Sequence, residues 1–131
     1  MKTNLSLVVI DSEYLVAMDA ERILAEALNC PVTATTINGC LEVMEGRRFD
    51  LAIIDAARPD ELSILLEKIG KSAKGIVFTI DDTIHAGGVP GYLNIPVVLK
   101  PFVATTLVNT VLNALQSIFP IRRAECADQA D

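Results

Sequence analysis

Three apolar runs in this chain each end in a charged residue. Residues 5–10 (Leu-Ser-Leu-Val-Val-Ile) lead into Asp11, residues 49–54 (Phe-Asp-Leu-Ala-Ile-Ile) into Asp55, and residues 95–99 (Ile-Pro-Val-Val-Leu) into Lys100. Short, near-continuous Val/Ile/Leu runs describe strands covered on both faces, as in a parallel sheet with a helix layer on each side. In an open sheet of that kind, ligands bind outside the carboxyl ends of the strands. The three runs therefore bring two acids and a lysine to one crevice, in outline a phosphoryl-accepting or metal-binding site.

Helical spacing fills the intervals. Val16, Ala20, Ile23, Leu24 and Ala27 lie on one face of a helix over 13–28, which Asn29-Cys30-Pro31 stops. Near the other end, Ala104, Leu107, Val108, Val111, Leu112 and Leu115 mark a second long helix. Strands are expected at 5–10, 32–37, 51–54, 76–80 and 95–99. A short helix is expected at 39–47 with Asn38 as its cap, and another at 61–69. Residues 81–94 hold Gly87, Gly88, Pro90 and Gly91, so the fourth helix is expected to be reduced or irregular. This alternation predicts an α/β fold: a single doubly wound five-stranded parallel sheet in the flavodoxin-like order 2-1-3-4-5, with the first and last helices on one face. Residues 1–119 form that domain, and 120–131 read as a polar, disordered tail.

A length of 131 residues suits one domain with one core. The net charge of -6, with only Arg47-Arg48 and Arg122-Arg123 as basic pairs, argues against a nucleic-acid surface. Cys30, Cys40 and Cys126 are odd in number and lack C-x-x-C spacing, which fits a reducing compartment better than a disulfide framework or zinc site. No stretch approaches a signal peptide or the ~20 apolar residues of a membrane helix. A cytoplasmic location is expected, with no membrane and no nucleic acid among the partners.

The pieces V-V-I-D-S-E, F-D-L-A-I-I-D-x-x-x-P and V-V-L-K-P-F, in that order and at those strand ends, resemble the receiver domain of bacterial two-component response regulators. The resemblance spans roughly residues 4–118. The segment between Gly75 and Lys100 is similar to a subgroup of stand-alone receivers with a reduced fourth helix. Those carry Phe-Ala-Thr-Gly-x-Tyr where this chain has Phe78-Thr79-Ile80-Asp81. The resemblance implies that Asp55 accepts a phosphoryl group from a sensor histidine kinase or a histidine phosphotransfer protein. Lys100 then serves as the positive charge beside it, and the Lys100-Pro101 bond is a candidate cis peptide. It implies Mg²⁺ held by Asp11, Asp55, the Ala57 backbone carbonyl and Ser12. The physical demand is general: a carboxylate nucleophile needs positive charge nearby to meet an anionic phosphoryl group. The protein would not be an enzyme beyond Mg²⁺-assisted self-phosphorylation and dephosphorylation. It would signal through a downstream protein target, with a homodimer as one arrangement.

Three positions depart from the family pattern. Ser12 stands where a second acid is usual, and a neutral hydroxyl is a poor ligand for a hard cation, so Mg²⁺ binding is expected to be weak. The switch hydroxyl that normally follows the fourth strand falls on Ile80. Thr79 comes one residue early, and adjacent strand residues face opposite ways, so its use requires a bulge. The aromatic switch position is Val97, with Tyr92 as a substitute. Arg58 lies near enough in sequence to Asp55 to assist a phosphate but reads better as a solvated surface residue, and His85 reads as a solvated loop residue. Two other functions compete with the phosphoacceptor. One is a degenerate receiver that acts as an interaction module. The other is a small flavodoxin-like enzyme or cofactor carrier, against which the lack of a phosphate-cradling glycine loop argues.

Overall fold

In the computed structural model, which describes residues 5–57 and 59–118, the five apolar runs form one parallel sheet in the order β2-β1-β3-β4-β5. The strands are β1 (Leu7–Asp11), β2 (Val32–Thr36), β3 (Leu51–Asp55), β4 (Ile76–Ile80) and β5 (Val97–Leu99). The helices among the described residues are α1 (Tyr14–Leu28), α2 (Cys40–Met44), α3 (Pro59–Ile69) and α4 (Ala104–Ile118). Every residue of β1 and β3 is buried, as the apolar runs require.

Alternation along each strand divides the core into two layers. Leu7, Val9, Leu51, Ile53 and Val77 face α1 and α4, meeting Ala17, Ala20 and Leu24 on one helix and Leu107, Val111 and Leu115 on the other. Val8, Ile10, Ala52, Ile54 and Phe78 face α2 and α3, meeting Cys40, Met44, Leu62 and Ile69. Each large apolar side chain so buried contributes about 1.5–3 kcal/mol. A one-residue slip would move every strand side chain to the wrong layer, so the register is strongly specified. That register is what carries the charged strand ends to fixed places.

Element boundaries moved by a few residues. The first and third strands run one residue further than expected and include Asp11 and Asp55, while β5 starts at Val97 rather than at residue 95. The expected helix over 39–47 is only Cys40–Met44. Gly39, not Asn38, is its N-cap, and the Gly39 amide donates to Thr36 Oγ1 at 3.1 Å. Asn29 closes α1 in the left-handed conformation (φ 53°), its amide donating to the Ala25 carbonyl, as asparagine tolerates.

The fourth helical place is a single 3₁₀ turn, Thr83–His85, whose cap Asp82 accepts from the Ile84 amide at 3.1 Å. Beyond it Gly88 (φ 128°) and Gly91 (φ 88°) adopt left-handed conformations that no other residue takes cheaply, so a helix does not continue. The excursion is pinned by Val89, buried in the core, and by Tyr92, whose ring packs edge-on to Phe78 at 5.8 Å. His85 is partly buried in that turn. The tail 120–131, Arg58, Arg122-Arg123 and Cys126 lie outside the described residues; Cys30 and Cys40 are buried free thiols. No helix among the described residues is long and apolar enough to cross a membrane.

Candidate functional site

β1 and β3 are neighbours and both end in an acid, so Asp11 and Asp55 stand side by side at the carboxyl edge of the sheet. Lys100 follows β5, and its backbone amide donates to the Ile80 carbonyl at 2.8 Å, which fixes where the side chain starts. The Lys100-Pro101 peptide bond is cis. The lysine then reaches back across β4. Its Nζ lies 3.0 Å from Asp11 Oδ2 and 3.2 Å from Asp55 Oδ1. Only 3% of the Asp11 side chain, 1% of Asp55 and 12% of Lys100 is exposed, so these are buried charges, tolerable because they are paired.

Hydrogen bonds complete the pairing. Asp55 Oδ2 accepts from the Ser12 hydroxyl at 2.9 Å and from the Ser12 amide at 3.3 Å, while Asp55 Oδ1 accepts from the Ala57 amide at 3.0 Å. Asp11 Oδ1 accepts from the Glu13 amide at 2.9 Å, at the start of α1. Burial alone would push the Asp55 carboxyl up. The Ser12 hydroxyl, the Lys100 charge and the Ala57 and Ser12 amides outweigh it and hold the group below its ordinary value. Lys100 shows the mirror case. Burial disfavours its charge, but the Asp11 hydrogen bond, the Asp55 and Asp11 charges and Asp81 raise it above its ordinary value. Asp55 is therefore anionic, and Lys100 cationic, throughout the neutral range.

Lys100 has a third carboxylate neighbour, Asp81, which lies outside the strand-end residues expected from sequence. Asp81 Oδ1 lies 3.2 Å from Lys100 Nζ, although 62% of its side chain is exposed. The signal was available, since Asp81 directly follows β4 as Asp11 and Asp55 terminate their own strands. Ser12 was weighed only as a poor metal ligand, whereas its hydroxyl is a donor to Asp55.

The β3–β4 ladder runs without a bulge at Thr79. Thr79 pairs in register with Asp55 across that ladder, and the alternation places both on the α1–α4 face. Thr79 is 2% exposed, and its Oγ1 is buried with no hydrogen-bond partner among the described residues. Ile80 is buried on the opposite face, and Val97 is half-buried there. Asp55 is flanked by two clefts. One, of about 440 Å³, is lined by Asp11, Ser12, Asp81, Lys100 and Phe102; the other, of about 260 Å³, by Asn38, Asp55, Glu61 and Lys68. A cleft of about 630 Å³ lies at Gly75, Pro96 and Ile118, near none of these charges.

Among the described residues no group of three or more His, Cys, Asp or Glu side chains is arranged to hold a metal ion. Two adjacent carboxylates nevertheless suit a largely hydrated Mg²⁺, which takes one or two carboxylates and keeps several waters. The donor set fits such an ion, with Ser12 contributing a neutral oxygen in place of a third acid.

The sheet order and its flanking helices are those of the response regulator receiver fold, and solved structures bear that fold out. A response regulator from Thermotoga maritima superposes with a TM-score of 0.68 at 16% identity, covering 86% of this chain and 98% of that one. A response regulator receiver domain protein (CheY-like) from Methanospirillum hungatei gives 0.67 at 21% identity, over 90% and 98%. An uncharacterized protein from Neptuniibacter caesariensis gives 0.68 at 23% identity, over 91% and 93%. No protein-family model and no curated protein matches the chain.

Proposed function

We propose that the chain is a receiver module in which Asp55 accepts a phosphoryl group from a sensor histidine kinase or histidine phosphotransfer protein and passes the signal through protein contacts. The observation that carries this is a buried Asp55 carboxylate 3.2 Å from Lys100 Nζ, at the strand end where α/β sheets bind ligands. An Asp55 oxygen attacks phosphorus as the bond to the donor histidine nitrogen breaks, leaving an acyl phosphate. Lys100 stabilises the charge on the equatorial oxygens, and the Ser12 and Ala57 amides orient the carboxylate. Asp11, Asp55, the Ala57 carbonyl and, weakly, Ser12 would hold Mg²⁺. The ion, when bound, neutralises phosphoryl charge. Thr79, whose buried hydroxyl beside Asp55 has no partner among the described residues, is assigned as a further donor.

A second reading has one observation in its favour. The Ser12 hydroxyl, 2.9 Å from Asp55 Oδ2, occupies the edge of the carboxylate where a third acid would help to hold a cation. On that reading the domain binds a partner without turning over phosphate. Intact-mass analysis after incubation with acetyl phosphate and Mg²⁺ separates the two. The expected result is one added phosphoryl group, lost entirely in Asp55→Asn. An unchanged mass with acetyl phosphate and with a phosphorylated histidine phosphotransfer protein would favour the interaction module.

A further inference from the structure

An ammonium group has three N–H donors. Around Lys100 Nζ stand three carboxylates: Asp11 at 3.0 Å, Asp55 at 3.2 Å and Asp81 at 3.2 Å. Nζ donates a hydrogen bond to Asp11 and forms ion pairs with Asp55 and Asp81, so its charge is shared among three anions. A phosphoryl oxygen that draws Lys100 toward it competes with these three carboxylates, and they do not cost the same to give up. Asp11 and Asp55 are 3% and 1% exposed, so either would be left as a buried charge without its partner. Asp81 is 62% exposed and regains water as it leaves, and ion pairs at such exposure are worth only about 0–1 kcal/mol. A phosphoryl group on Asp55 also adds negative charge, which repels Asp81 while drawing in the lysine.

Asp81 is the first residue of the excursion that replaces a fourth helix. Its neighbour Asp82 caps the Thr83–His85 turn, and the backbone bonds Ala86 N to Thr83 O (3.1 Å) and Gly88 N to His85 O (2.9 Å) carry that turn on to Gly88. Ile84, 82% exposed, rides on the turn. The places of the usual switch pair hold Ile80 and Val97, which offer neither a hydrogen-bond donor nor a large ring.

From this geometry we infer that the Asp81–Lys100 ion pair is a charge latch. It holds the 81–94 segment in one arrangement while Asp55 is unmodified and opens when Lys100 turns to a phosphoryl group, moving the Ile84 turn. The inference rests on the phosphoacceptor reading. It supplies a route from the site to the surface through a residue that sits in neither of the usual switch places. A ligand shifts such an equilibrium only through different contacts in the two states, and here the differing contact is the Asp81–Lys100 ion pair.

Two-dimensional NMR of the whole chain with Mg²⁺, titrated with beryllofluoride as a phosphoryl mimic, tests the latch in the wild type and in Asp81→Asn. The variant keeps the size of an exposed side chain and removes its charge. Before any mimic is added, amides of residues 81–94 in Asp81→Asn are expected to lie displaced toward their mimic-bound wild-type positions. The further change on titration should fall to less than half of the wild-type change, while the shifts at Ala56 and Ala57 persist. Removing the competing carboxylate should also tighten mimic binding by about two- to fivefold. Shifts at Ala56 and Ala57 with an identical response of 81–94 in both proteins would overturn the latch and leave the phosphoacceptor standing. No shift at Ala56 and Ala57 in either protein would overturn both.

Discussion

Lys100→Met is expected to destabilise the protein by about 3–5 kcal/mol, measured as a shift of the urea unfolding midpoint at neutral pH. Replacing the lysine by an apolar chain of similar size roughly keeps the volume and removes the charge together with its hydrogen bond to Asp11. Asp11 and Asp55 then face each other as buried anions at 3% and 1% exposure, with hydrogen bonds but no cation. The penalty comes from that uncompensated charge, so adding Asp55→Asn to Lys100→Met should restore part of the loss. Arg22→Met serves as the internal control. The Arg22–Asp19 pair has a similar contact distance, 2.9 Å, but its side chains are 62% and 47% exposed, and such pairs contribute within about 1 kcal/mol. Equal costs for the two variants would mean that the Lys100 cluster is hydrated in solution and that its burial does not govern its energetics.

The same cluster sets how stability depends on pH. Asp55 lies below its ordinary value of 3.8 in the folded state. Its stabilisation is therefore complete above that value and is lost as pH falls through the lower folded value. Lys100 lies above its ordinary value of 10.5. Its stabilisation is complete below that value and is lost as pH rises through the higher folded value. Unfolding free energy should be level with respect to these two groups through the neutral range, with one arm falling in acid and one in strong alkali. Asp55→Asn should flatten the acid arm, a change that urea titrations across the pH range would register.

The features that sequence made legible are those with a periodic or terminal signature. Strand runs such as Leu51–Asp55 and the helix Ala104–Ile118 announce themselves because burial on both faces, or on one stripe, dictates residue type at every position. The meeting of Asp11, Asp55 and Lys100 followed from strand ends and sheet order, without any knowledge of side-chain conformation. What stayed hidden depends on tertiary contacts. Sequence overstates the length of α2 because the chain leaves the helix at Glu45 and turns at Gly46 (φ 73°), while at its start Gly39 bonds to Thr36 although Asn38 offers the better local cap. Asp81 is inconspicuous in sequence because an exposed acid beside a glycine-rich stretch looks like any solvated charge, and only the fold brings Lys100 to it. The place of Thr79 was obscured for a related reason. Counting along one strand gives its offset from the usual switch place, whereas its partner across the ladder gives its neighbour.

That neighbour makes Thr79→Val the more discriminating experiment. A hydroxyl buried without a partner costs about 1–3 kcal/mol, and the Thr79 oxygen has none among the described residues. Valine matches threonine in shape and branching, suits a central strand and carries no polar atom. The variant is therefore expected to be more stable than the wild type by about 1–2 kcal/mol in urea unfolding. The functional sign is opposite. If the hydroxyl is held in reserve for an oxygen on phosphorylated Asp55, one row across the ladder, the variant lacks a hydrogen bond to a charged group. Such a bond is worth about 1.5–3 kcal/mol, so beryllofluoride affinity should fall by roughly tenfold or more. Higher stability with weaker binding is the pattern of a residue kept for function at the expense of folding. Higher stability with unchanged binding would make Thr79 a plain packing defect. Unchanged stability would show that the hydroxyl finds a partner in solution, and the argument for its reserve role would fall with it.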